Sequence, residues 1–184
     1  MAIIAKAKKD HEYIPAPEGF WSAVCVDVVD LGDVEMEWKG NVRKVHRVRI
    51  HWQIPETFEY KDPETKEVKN VRFTVVKNYT LSLHKKADLR KDLEAWRGRA
   101  FSDDQLNNGF DLEQLIGINC QIGIIHKETD TATYANLSTI APPAKGMEVM
   151  VPLDYVRAKD RVQKNESNAV PISESEESAD DLPF

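Results

Sequence analysis

The sequence has little of what marks most catalytic, metal-binding or membrane-spanning chains. Its 184 residues include only two cysteines and eight glycines. There is no Gly-rich phosphate loop, no Cys/His set at zinc spacing and no Gly-x-Ser-x-Gly elbow. The five histidines, at positions 11, 46, 51, 84 and 126, do not pair at ligand spacings. No apolar run approaches the roughly 20 residues needed to cross a bilayer. The apolar start, residues 2–5, is too short for the h-region of a secretory signal. These absences set the expectation of a cytoplasmic chain with no cofactor, no metal and no membrane contact. In a reducing compartment, Cys25 and Cys120 are expected to be buried small hydrophobes rather than a disulfide, since each sits in an apolar stretch. The Asn-x-Ser/Thr matches at Asn78, Asn136 and Asn165 then have no glycosylation role.

Two further absences concern charge. Residues 165–184 contain Glu166, Glu174, Glu176, Glu177, Asp180 and Asp181 but no Lys or Arg. Removing those six from the 31 acids leaves 25, against 25 bases, so the net charge of -6 resides wholly in this tail and the body is formally neutral. Conversely, residues 42–54 hold Arg43, Lys44, Arg47, Arg49, His46 and His51 and no acid. Such asymmetry assigns separate tasks to a basic patch and an acidic tail.

What is present reads as a small β domain. At 41% hydrophobic, the chain can bury a core. Residues 1–14 form an arm with Lys6, Lys8 and Lys9, and Pro15-Ala16-Pro17 opens the domain, expected over 15–157. The Val-rich run 20–32 predicts a first strand, and 33–41 a polar connection with a Gly-Asn turn. In 43–54, Val48, Ile50, Trp52 and Ile54 alternate with Arg47, Arg49, His51 and Gln53, which predicts a half-buried second strand with an outward row of donors. Residues 55–70 read as a long loop or a hairpin extension, and 71–83 as a third strand.

Leu89, Leu93 and Trp96 recur at i, i+4, i+7, so 85–98 predicts a helix, with Gly98 at its C-terminal cap. Its bases alternate with Asp88, Asp92 and Glu94 and read as a solvated face. Ser102 with Gln105 forms a capping-box pattern, and Asp111 can cap 112–116. Residues 118–127 and 132–141 predict two more strands joined by a hairpin turn, and 147–156 either a last strand or loose chain. From 158 the Ser/Glu/Asn/Asp composition predicts a disordered acidic tail. Three strands, a helix and two strands is the order of an OB-fold, a five-stranded Greek-key barrel whose second and third strands hold oligonucleotides.

The stretches "TLSLHKKADLRKDLEAWRGRAF" (80–101), "GFDLEQLIG" (109–117) and "YANLSTIAPP" (134–143) resemble bacteriophage-encoded single-stranded DNA-binding proteins, a similarity that spans about residues 20–143. The terminal "DDLPF" resembles the tip of bacterial single-stranded DNA-binding proteins, which typically end Asp-Asp-Asp-Ile-Pro-Phe; here one Asp is missing and Leu replaces Ile. Both resemblances imply an OB-fold body and work in DNA replication, recombination or repair, in the host cytoplasm if the chain is phage-encoded.

The residues themselves supply the contacts. Non-specific single-strand binders combine cations for phosphates with aromatic platforms for bases. The cations and donors are Arg43, Lys44, Arg47, Arg49 and His51, with Arg72 and Lys77 on the third strand; Trp38, Tyr79 and Tyr134 are the stacking candidates. Trp21, Trp52 and Trp96 are expected in the core. Asp180, Asp181, Leu182, Pro183 and Phe184 are expected to dock on replication or recombination proteins such as a polymerase, helicase, primase or exonuclease: an apolar pocket with a basic rim would take the Phe ring and a terminal carboxylate. The expected function is non-catalytic binding of single-stranded DNA with recruitment through the tail. Its rivals are an OB-like adaptor with no DNA affinity and a Mg²⁺-dependent nuclease built on Asp27, Asp30, Glu37 and Lys39. RNA as the ligand, and assembly into homo-oligomers, stay open.

Overall fold

The computed structural model describes residues 13–62, 65–130 and 132–161. Five strands form one antiparallel sheet: β1 (Gly19–Trp38), β2 (Asn41–Lys61), β3 (Val68–Thr80), β4 (Asn119–Glu128) and β5 (Thr133–Ala141), in the order β3-β2-β1-β4-β5. The two edge strands, β3 and β5, come into contact, so the sheet curls toward closure. Between β3 and β4 lie α1 (Asp88–Arg97), α2 (Asp103–Asn108) and a 3-10 turn (Leu112–Leu115).

β1 and β2 are longer than their sequence patterns suggested. The segment expected as a polar connection, 33–41, is a β-ribbon that pairs from Gly32↔Arg47 out to Trp38↔Asn41. Only Lys39 and Gly40 turn, at φ 50° and 77°, the positive values of the two-residue turn that matches strand twist. The ribbon was hidden because its alternation, Val34-Glu35-Met36-Glu37, uses acids as its polar half. The segment 55–70 is a hairpin extension: β2 runs on to Lys61 and pairs with β3 back to Val68. The register breaks between Gln53 and Thr57, where Pro55 has no N–H to donate to a ladder.

The core lies inside the curl. Val48, Ile50, Trp52 and Ile54 of β2 meet Cys25, Ile122, Leu137 and the α1 stripe Leu89, Leu93 and Trp96. The Trp52 and Trp96 rings pack 5.9 Å apart, and the Trp96 indole donates to the Asn119 carbonyl at 3.0 Å. α1 ends at Gly98 in the left-handed region, φ 64°, and α2 begins with the Ser102–Gln105 capping box. Both cysteines are buried and unpaired; burial pushes the Cys25 thiol up to about 12 and the Cys120 thiol up as well, so both stay protonated.

Among the described residues, the chain after β5 forms neither a strand nor a loose end. Residues 147–158 make a strap across the outer face of the sheet. Met150 packs on Val24 and Val26. The Asn119 amide donates to the Met150 carbonyl and accepts its N–H, at 2.9 and 2.7 Å; the Gln53 amide does the same with Leu153, at 2.8 and 3.0 Å. Side-chain amides thus replace the rungs of a strand ladder, and both satisfy backbone groups that Pro152 interrupts. No helix among the described residues is long and apolar enough to cross a membrane.

Candidate nucleic-acid interface

Register sorts the ribbon side chains onto two faces, because directly opposed residues in an antiparallel pair point the same way and successive pairs alternate. One face carries Asp33, Glu35 and Glu37 opposite His46, Lys44 and Val42. The other carries Val34 and Met36 opposite Val45 and Arg43, then Arg47 opposite Gly32, and none of these is an acid. Arg49 and His51 continue this second face along β2, opposite Asn78 and Val76 of β3 and opposite Val29 and Asp27 of β1, so the face is acid-free only as far as Arg49. Two contacts fix its geometry: Arg47 Nη1 lies 2.9 Å from Met36 Sδ, and Arg49 Nε donates to Asn78 Oδ1 at 2.7 Å.

The acid-free face looks into a cleft of about 500 Å³ between the ribbon, the end of β3 and the start of α1, lined by Met36, Arg47, Asn78, Tyr79, Thr80, Ser82, His84, Lys86, Ala87 and one acid, Asp88. Ala87, the N-cap of α1, has no side-chain oxygen, so the first-turn N–H groups are uncapped there. Such groups favour anions, while Asp88 is paired with Lys91 at 3.1 Å. Arg47 Nε is shielded from solvent and has no protein partner among the described residues.

On the acidic face, both ring nitrogens of His46 lie on carboxylates, Nε2 at 2.7 Å from Asp30 and Nδ1 at 2.9 Å from Asp33. Hydrogen bonds to these acids hold its pKa above the ordinary value. His46 is therefore a clamp between β1 and β2, and Lys44 faces Glu35 across the ribbon.

No family model matches this chain, and no curated protein matches its sequence. The interface therefore rests on its own geometry.

That geometry keeps part of the expected set and scatters the rest. Arg43, Arg47 and Arg49 share one face; Lys44 is on the other. Lys77 and Tyr79 lie on the opposite face of β3 from Asn78. They project from β3 toward α1, where Lys77 Nζ and Tyr79 OH meet Asp92 Oδ2 at 2.6 and 2.8 Å. Tyr79 is 2% exposed and offers no ring face to a base. Burial and the Asp92 charge drive its hydroxyl pKa far up, which keeps it a donor. The signal was in the sequence, since Phe73, Val75, Lys77 and Tyr79 share one parity and the first two are apolar. Arg72 donates to the Val151 carbonyl of the strap at 2.8 Å. Tyr134 is exposed on β5 with its ring centroid 5.7 Å from that of Tyr13, remote in the strand order from β2. Trp38 ends β1, but its side chain lies outside the described residues, as do Asp180, Asp181, Leu182, Pro183 and Phe184.

His51 meets a cluster that sequence reasoning missed. Asp27, expected only as a nuclease decoy, is 1% exposed. Its carboxylate accepts from Arg157 Nε at 3.0 Å, Ala158 N at 2.7 Å, Tyr155 OH at 3.3 Å and Val28 N at 3.0 Å. Burial works to raise its pKa, but the Ala158 and Arg157 bonds outweigh it and hold the carboxyl below its ordinary value. Arg157 also donates to Glu113 Oε1 at 2.7 Å. Burial pushes the Tyr155 hydroxyl up to about 12, and lowers His51 toward its neutral form; the hydroxyl lies 3.1 Å from His51 Nδ1. Asp30 is taken up by His46 and the Gly32 N–H. Asp27 and Asp30 thus serve two different local networks. No partner within 100 residues of Asp27 in sequence signals the strap contacts, which is why they were not legible.

Proposed function

We propose that this chain binds single-stranded DNA without strong sequence preference and without catalysis. The observation that carries the reading is the ribbon face on which Arg43, Arg47 and Arg49 share one side of β2 without an acid opposite them, with Arg47 lining the cleft. Arg47 and Arg49, two residues apart on a strand, are spaced about 6.6–6.8 Å, within reach of successive phosphates on an extended strand, and Arg43 stands two further pairs out along the ribbon. Val34, Met36 and Val45 put apolar surface among them for base contact, and Lys86 and His84 continue the donors onto the far wall. The strand order, the helix between β3 and β4 and the contact of β3 with β5 support an OB-type barrel, whose second and third strands form the binding face. Fold alone would not license the function; the charge segregation does.

The acidic tail belongs to the same proposal through the sequence alone. Its tip recruits replication or recombination proteins in the host cytoplasm, with the acids steering the encounter.

Titration of labelled single- and double-stranded DNA at several salt concentrations tests the reading. Single strands should bind more tightly, with log K falling by about 0.7 per phosphate contact for each unit of log salt. An absence of binding would favour a protein-only adaptor; Mg²⁺-dependent cleavage would favour the nuclease.

A further inference from the structure

The row on β2 does not stop at His51. There the strap takes over: Tyr155 OH lies 3.1 Å from His51 Nδ1, and Arg161 Nη2 donates to Tyr155 OH at 3.3 Å with its guanidinium 5.5 Å from the Tyr155 ring centroid. His51, Tyr155 and Arg161 therefore form a chain of contacts that starts beside Arg49 on β2. Both arginines act on His51 electrostatically, which places both near it.

The strap's other cations are already committed. Arg157 is shared by Asp27 and Glu113, and Lys159 lies 3.6 Å from Glu113. Arg161 instead donates to a carbonyl, Val156 O at 2.9 Å, and to the Tyr155 hydroxyl. Among the described residues its contacts include no carboxylate, and the residue is exposed. Its charge is thus held in place by neutral acceptors and remains available to an anion.

A strap across a binding face can be a cover or an extension, and charge decides between them. Lifting this strap would uncover the Asp27 carboxylate, which repels phosphate, and would withdraw Arg161. A cover over a phosphate-binding surface would bury cations; this one buries an acid, Asp27, whereas Arg72, which donates to the Val151 carbonyl, is only half-buried.

We propose that Arg161 is a phosphate-contacting residue on the same surface, extending the Arg47–Arg49 row, and that Asp27 is the positioning residue that holds it there through Arg157, Ala158 and Tyr155. The inference rests on the single-strand reading above.

The test is the salt dependence of single-stranded DNA affinity for the full chain, with Arg161→Gln, Arg161→Lys, Asp27→Asn, Arg47→Gln and, as a control on the far strand β4, Lys127→Gln. Arg161→Gln should make the log–log slope shallower by about 0.7, an affinity ratio that changes about fivefold over a tenfold range of salt. Its unfolding midpoint should not move, Arg161→Lys should retain most of the slope, and Lys127→Gln should match the parent. Asp27→Asn should show the same loss of slope as Arg161→Gln. Should that variant fail to fold, the Arg161 pair still decides. An unchanged slope in Arg161→Gln, beside a reduced one in Arg47→Gln, would overturn the inference and leave the single-strand reading standing. Tighter binding by Asp27→Asn would show that the strap is a cover and overturn it too. Failure of the parent chain to bind any single strand would remove both.

Discussion

The outward row of β2 has two halves of similar composition and opposite fates. Arg43, Arg47 and Arg49 share one face, with Arg47 lining an open cleft, and the partners of the last two position them without neutralising them: a thioether for Arg47 and a side-chain amide for Arg49. His51 and Gln53 continue the same alternation, yet they lie under the strap, and Gln53 is 1% exposed. In the first half the charges of Arg47 and Arg49 meet neutral partners. In the second the polar groups are consumed by the chain's own backbone. A polar residue on a strand therefore carries two meanings, and only the distant segment that reaches it distinguishes them.

The sealed half is where substitution should cost most stability. Asp27→Ala leaves the Ala158 N–H and the Tyr155 hydroxyl without this acceptor and Arg157 paired with Glu113 alone, and should lower the unfolding free energy by about 3 kcal/mol in chemical denaturation. Acid should act on the same contact. The folded pKa of Asp27 lies below its ordinary 3.8, so its contribution is complete above that value and is lost as pH falls through the lowered folded value. Thermal melts of parent and Asp27→Ala should converge there. Gln53→Leu removes both bonds to Leu153 and should cost about 1–3 kcal/mol, because the Leu153 N–H and C=O lose their partners.

The open half should respond the other way. Arg47→Gln with Arg49→Gln should change stability by less than about 0.5 kcal/mol, the usual range for surface substitutions, while making the salt slope shallower by about 1.4, the value for two phosphate contacts. Lys44→Gln should have the smallest effect. That side chain stands opposite Glu35 on the acidic face, so its slope should stay near the parent value in the same titration. A loss equal to that of Arg47 would erase the distinction between the two ribbon faces.

The elements that were legible in the sequence are those whose pattern is local. The alternation through Val48, Ile50, Trp52 and Ile54 and the Leu89, Leu93, Trp96 stripe each report a buried face within a few residues, and Gly98 and Ser102 mark helix ends through local backbone chemistry. The ribbon 33–38 was obscured by its acids, which depress strand propensity yet suit an exposed pleat. Tyr79 was read by its residue type, whereas its parity with Val75 placed it inside. The strap was beyond reach, since Gln53 and Leu153, like Asp27 and Arg157, meet across at least 100 residues, and an amide or carboxylate carries no mark of its partner. Of the candidate site, the arginine row was legible, while its sorting from Lys44, Lys77 and Tyr79 required the register.

The central claim is that the acid-free face of β2 neutralises phosphates. The most direct measurement is the slope of log affinity against log salt for single-stranded DNA, compared between the parent chain and the Arg47→Gln, Arg49→Gln double variant. The account requires salt-dependent binding by the parent and a slope shallower by about 1.4 in the variant. Binding that ignores salt, or equal slopes in the two proteins, would contradict it.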